Sequence, residues 1–164
     1  MPRPLLVVLS VLLSVTIGCS PSGDGASGSA AIVWFTLPDG ARFSSEQLDR
    51  FDDLYMAADK AYASEDYVTC IDRFDEVLAI YDGNDRVWFG RSYCQALAGY
   101  ADEAIVSLER GVELFGGGAR LIENDSDFDS LRELPAYLAL IERAEALDAT
   151  AAIADPMQGD AEAG

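Results

Sequence analysis

The sequence predicts an all-α fold: a right-handed array of two helical hairpins closed by a C-terminal capping helix. Three observations carry this. First, the stretch from Phe51 to Gly118 reads as one unit written twice, and a shift of 34 residues lays the first copy on the second. Leu54 falls on Trp88, Tyr55 on Phe89, Ala58 on Ser92, Cys70 on Ala104, Phe74 on Leu108 and Leu78 on Val112. A fixed period of this length marks a helix–turn–helix repeat. Second, apolar residues recur at helical spacing within each copy. Third, the breaks fall where hairpins need them, at Ser64-Glu65-Asp66, Asp82-Gly83-Asn84-Asp85, Ala98-Gly99 and Gly116-Gly117-Gly118.

Taken in order, residues 1–18 read as an address. Arg3 precedes an apolar run from Leu5 to Val15, too short for a comfortable membrane span and followed by small residues. That is the pattern of an export signal. Val15-Thr16-Ile17-Gly18-Cys19 resembles the bacterial lipoprotein signal, with Thr16 where Leu is usual. The resemblance implies cleavage before Cys19, lipid attachment at the Cys19 sulfur (palmitate among the acyl groups) and a place in the bacterial cell envelope. An Asp after the Cys tends to hold lipoproteins at the inner membrane, so Ser20 leans towards the outer one. The alternative is an ordinary secreted chain in which Cys19 lies near the cleavage site by chance.

Residues 19–43 are expected to form a flexible tether carrying a short apolar arm. Cys19 to Ser29 is rich in Gly and Ser. Ala30 to Leu37 is apolar, contains Trp34 and Phe35, and ends at the turn Pro38-Asp39-Gly40. A short strand or extended arm packed on the helical domain is the preferred reading, since an exposed apolar run is a liability. Contact with lipid headgroups, where Trp is favoured, is the other.

The helical domain is placed at residues 44–149, with repeats at 51–84 and 85–118 and a capping region at 119–149. Ser44 and Gln47 have the spacing of a capping box. Leu48, Phe51, Leu54, Tyr55, Ala58, Ala61 and Tyr62 give the first helix its apolar face. The second helix runs from Tyr67 to Tyr81, the third from Trp88 to Leu97 and the fourth from Asp102 to Phe115. Small residues at Ala58, Cys70, Ser92 and Ala104 suit close helix crossings, and Leu54, Phe74, Trp88 and Leu108 fill the space between helices.

On these residues the region resembles the tetratricopeptide repeat (TPR) family, over about 68 residues. It departs where the family's usual Gly is Ala58 or Ser92, its Tyr is Ala61 or Gln95, and its terminal Pro is Asp82 or Gly116. Two repeats are fewer than the three or so that normally close such a core. The stretch Asp125-Ser126-Asp127-Phe128-Asp129-Ser130-Leu131-Arg132, followed by Pro135 and Tyr137, looks like a motif that follows bacterial TPR arrays. A capping helix is therefore expected, with Tyr137, Leu138, Ile141, Ala144 and Leu147 inward. Residues 150–164 are expected to be disordered.

Composition excludes several kinds of chemistry. With 11 Lys+Arg against 29 Asp+Glu, the formal net charge is -18. Nucleic acid binding needs the opposite balance; a basic partner, or simply a solvated acidic surface, fits. The chain has no His, the commonest general base and metal ligand. Asp125-x-Asp127-x-Asp129 begins like a calcium loop, but Ser130 and Ala136 stand where Gly and Glu are required. These acids are read as helix-start caps. No nucleophile motif or phosphate loop is present, so no enzyme, cofactor or metal site is expected. Cys70 and Cys94 fall on neighbouring helices, and two readings are open: a disulfide suited to an oxidising compartment, or two small buried hydrophobes.

The TPR resemblance implies a concave groove lined by the inner helices. Carried onto this chain it comprises Asp52, Tyr55, Asp59, Tyr62 and Ala63, then Arg86, Phe89, Tyr93, Ala96 and Leu97. Its aromatic content suits partner binding; packing against Ala30 to Leu37 or the capping helix is the alternative. The function expected is a lipid-anchored adaptor holding a protein or peptide partner. The alternative is a structural envelope lipoprotein whose groove is filled by its own chain.

Overall fold

A computed structural model describes residues 34–37 and 39–154. The stretch read as a signal sequence and most of the one read as a tether, with Cys19, lie outside the described residues, as do residues 155–164. The described chain is mostly helical, in agreement with the all-α class. It divides into a unit ending at Arg50 and a unit beginning at Phe51.

The first unit holds a feature the tether reading lacked. Strand β1 (Trp34–Thr36) pairs antiparallel with β2 (Arg42–Ser44), Phe35 standing opposite Phe43. Trp34–Thr36, at the end of the apolar arm, is thus one side of a hairpin. Its turn needs a left-handed residue, supplied by Gly40 at φ 89°. The Asp39 carboxylate accepts from Ala41 N at 2.9 Å, and Leu37 N donates to Ala41 O at 2.8 Å. Helix α1 (Ser45–Ala63) follows at once. Ser44 Oγ accepts from Gln47 N at 3.2 Å and Gln47 Oε1 accepts from Ser44 N at 3.0 Å, the reciprocal capping box.

The second unit contains the rest of α1, then α2 (Tyr67–Ile80), α3 (Asp85–Leu97), α4 (Ala101–Phe115), the short α5 (Ala119–Glu123), a 3-10 helix (Ser126–Leu131) and α6 (Pro135–Ala154). Helices α1 and α3 end 34 residues apart, at Ala63 and Leu97, and α2 and α4 begin 34 apart, at Tyr67 and Ala101. The connecting turns share backbone bonds at the same offset. Asp66 N donates to Ala61 O at 2.9 Å, and Tyr100 N to Gln95 O at 2.8 Å. Both turns carry a left-handed residue, Glu65 at φ 60° and Gly99 at φ 84°. Asp66 caps α2 by accepting from Thr69 N, and Asn84 caps α3 by accepting from Arg86 N. Helix α4 stops at Gly116, left-handed at φ 81°.

Two apolar clusters fill the unit. One joins α1, α2 and α3 through Ala58, Ala61, Cys70, Phe74, Val77, Val87 and Cys94. The other joins α3, α4, α5, the 3-10 helix and α6 around Leu108, Val112, Ile122, Phe128, Leu131 and Tyr137. Helix α3 belongs to both. A polar thread runs beside it: Ser107 Oγ donates to Gln95 Oε1 at 2.7 Å and accepts from Arg91 Nη1 at 2.9 Å. Arg91 Nε sits 2.6 Å from Asp75 Oδ1, an ion pair whose N–H is not aligned for a hydrogen bond.

The region after the glycines is more ordered than a single cap. The Asp148 carboxylate of α6 reaches back to accept from Gly118 N at 2.8 Å and Ala119 N at 3.0 Å, closing the open start of α5. Tyr137 donates to Ile122 O at 3.1 Å. Tyr137, Leu140, Ile141 and Ala144 form the buried stripe of α6, whereas Leu138, expected inward, is exposed. Its one-residue offset from Tyr137 turns it to the outer face. Helix α6 also runs to Ala154, so residues 150–154 are helical where the sequence reading placed disorder. Its Ala-rich end keeps good helix formers past Asp148.

Candidate functional site

A cavity of about 390 Å³ opens where α1, α3 and the segment leading into the 3-10 helix converge. Asp59 and Tyr62 come from α1, three residues apart and so on one face. Arg86, Gly90 and Tyr93 come from α3 at spacings of four and three, again one face. Asp125, Ser126 and Asp127 form the far wall, and Phe74 of α2 forms the floor. Phe74 reaches that place because position 90 is Gly: a Cβ there would collide with its ring.

Hydrogen bonds hold the walls together. Tyr62 donates to Asp127 Oδ2 at 2.5 Å, tying α1 to the far wall across 65 residues of sequence. The Tyr93 ring stacks on Phe128 with centroids 5.0 Å apart, and the charges of Asp125 and Asp127 act on its phenol. Asp125 also accepts from Asp127 N at 3.0 Å, starting the 3-10 helix. Arg132 braces the segment from behind, donating to Glu123 O, Asp125 O and the Asp129 carboxylate. The run from Asp125 to Arg132 is thus a folded unit: Asp125 caps it, Asp125 and Asp127 face the cavity, Phe128 and Leu131 are buried, and Arg132 binds the preceding carbonyls.

The electrostatics follow from this crowding. Burial, then the charges of Asp125 and Asp127, push the Tyr93 phenol up to about 12. Burial and the bond to Asp127 drive the Tyr62 phenol well above the ordinary tyrosine range. Both stay neutral donors at physiological pH. Burial also raises the Asp59 carboxyl. Three carboxylates line the space against one guanidinium, that of Arg86, which has no ion-pair partner among the described residues.

Four groove positions read from the sequence, Asp59, Tyr62, Arg86 and Tyr93, meet at this cavity. The others do not line it. Tyr55 is half-buried and packs edge-on against Phe74, with centroids 5.5 Å apart. Phe89 turns onto the larger apolar cluster, over Gly111 and edge-on to Phe115 at 6.3 Å. Ala96 is buried, while Asp52 and Ala63 are open to solvent away from the cavity. Phe74, Gly90, Asp125, Ser126 and Asp127 were not among the expected site residues. Asp125 and Asp127 were read as caps; Asp125 is one, and it faces the cavity as well.

Cys70 and Cys94 are joined as a disulfide with Cα atoms 6.1 Å apart. The bridge ties α2 to α3 one turn from Phe74 and next to Tyr93. Among the described residues no group of acids or cysteines could hold a metal ion, and no helix is long and apolar enough to cross a membrane. No family model, no curated protein and no solved structure matches the chain.

Proposed function

We propose that this chain is a lipid-anchored adaptor of the bacterial cell envelope, TPR-like in its paired helices, that holds a protein or peptide partner in the cavity between α1, α3 and the Asp125 wall. The observation that carries this reading is the convergence of Asp59, Tyr62, Arg86 and Tyr93, distant in sequence, around one open space of about 390 Å³. That volume falls at the lower end of ordinary ligand sites, roughly 300–1,000 Å³. The 34-residue offset of helix ends and turn bonds supports the repeat reading. The anchor rests on the residues around Cys19. Two acyl chains would give stable attachment, at about 0.8 kcal/mol per buried CH₂.

Capture from detergent-solubilised envelopes tests the adaptor reading. The intact chain is expected to retain one or more envelope proteins that Tyr62→Ala and Tyr93→Ala lose. An unchanged set of captured proteins defeats it and favours the structural lipoprotein. Labelled palmitate is expected on the wild type and not on Cys19→Ala.

A further inference from the structure

We propose that the cavity receives the side chain of a single lysine or arginine from the partner, held between the Tyr62 and Tyr93 rings and faced by Asp59, Asp125 and Asp127. This rests on the adaptor reading and names the chemistry of its site. The argument begins with charge: the lining carboxylates outnumber the one cation, and that cation, Arg86, leaves them unpaired. Asp125 and Asp127 are half-buried, with the charge of Arg132 reaching Asp125, and Asp59 is exposed; a cationic occupant gains by adding counter-charge to the half-buried pair.

The shape of the cation follows from the arrangement. The carboxylates are not gathered into a metal-binding group. Asp127 already accepts from Tyr62 and Asp125 from Asp127 N, so neither is free to wrap a small ion. An extended organic cation with several donors and an apolar stem suits them better: its head can reach dispersed acceptors while the stem lies on aromatic surface. The tyrosine faces add attraction for ammonium or guanidinium. The space is small enough to take one side chain rather than a folded element.

Titration calorimetry on the full chain tests this, with blocked pentapeptides of alanine carrying arginine, lysine, citrulline or glutamate at the centre. The arginine and lysine peptides are expected to bind, with affinity falling as salt rises. Citrulline, which keeps the shape and loses the charge, is expected to bind about tenfold more weakly or worse. Asp59→Asn, which removes a carboxylate with no hydrogen bond to the fold, is expected to weaken the arginine peptide about tenfold. Arg86→Glu, at an exposed side chain, is expected to tighten it, a gain no loss of folding could mimic. Equal binding of citrulline and arginine, weaker binding to Arg86→Glu, displacement of the peptide by calcium, or no arginine binding at millimolar concentration would each overturn the proposal. A partner captured from envelopes in a Tyr93-dependent way, together with charge-blind peptides, would overturn it and leave the adaptor reading standing.

Discussion

The turn between α1 and α2 and the turn between α3 and α4 make the same backbone bonds with different residues at the left-handed position. The first uses Glu65, the second Gly99. A side chain in that conformation costs on the order of 1–2 kcal/mol, which glycine avoids. The contrast continues inward. The cluster around α1 and α2 is small, and two of its seven buried members are cysteines. The cluster around α4, α5 and α6 has thirteen buried members, Phe128 and Leu108 among the largest. The second hairpin is held by packing against α5, the 3-10 helix and α6, where Asp148 caps α5 from a distance. The first carries a strained turn and a thinner core, and is tied to α3 by the disulfide. Two turns with the same backbone bonds thus need not be matched in energy; each pair of helices is stabilised by what its neighbours supply.

Four experiments bear on that difference, from the largest effect down. Phe128→Ala removes a fully buried ring and is expected to cost about 3–5 kcal/mol in denaturant unfolding. Its loss should release the far wall of the cavity along with the larger core, so a cost under 1 kcal/mol would show that the second half does not depend on that packing. Opening the Cys70–Cys94 bridge, by Cys70→Ala with Cys94→Ala, is expected to cost about 3 kcal/mol, given its loop span of 24 residues. Hydrogen exchange should then quicken in α1 and α2 before α4 and α6. Uniform quickening would erase the distinction between the halves.

Glu65→Gly is expected to gain about 1 kcal/mol by relieving the left-handed turn, and Gly99→Ala to lose a similar amount. Equal and opposite shifts in melting temperature check this directly. The smallest effect concerns pH. Tyr93 loses its proton at about 12 in the fold, against 10.0 for an unhindered phenol. Its folded value is raised, so its contribution is complete below pH 10 and is lost as pH rises from 10 to 12. Tyr93→Phe should flatten that part of the alkaline stability curve.

Helix ends were legible because their signals are local. Ser44 with Gln47, Asp82 through Asp85 and Gly116 act through bonds within a few residues, and the spans expected for α2 and α4 agree with those observed to within a residue. The partner strand Arg42–Ser44 was not seen, because three residues beside a turn carry little periodic signal. Helix α5 and the 3-10 helix were missed for a related reason. Helix α5 is closed by Asp148 from α6, a bond that leaves no mark in local spacing, and the 3-10 helix is a short stretch between Asp125 and Arg132 with too few residues to show a period. For the site, helical spacing brought Asp59 and Tyr62 to one side, and Arg86 and Tyr93 likewise. It could not say that Phe89 would turn inward, because that depends on the room above Gly111. Nor could it place Asp127 beside Tyr62, a contact made only by the whole fold.

The bare backbone at Gly90 has one more effect. Because nothing but hydrogen stands there, the ring of Phe74 slides across the boundary between hairpins and becomes the bottom of the space in front of α3. The depth available to a guest is therefore set by how two adjacent helices cross, not by the residues that would greet it. A single methyl at position 90 would push that ring aside and so alter the fit of an occupant without changing one charge around it.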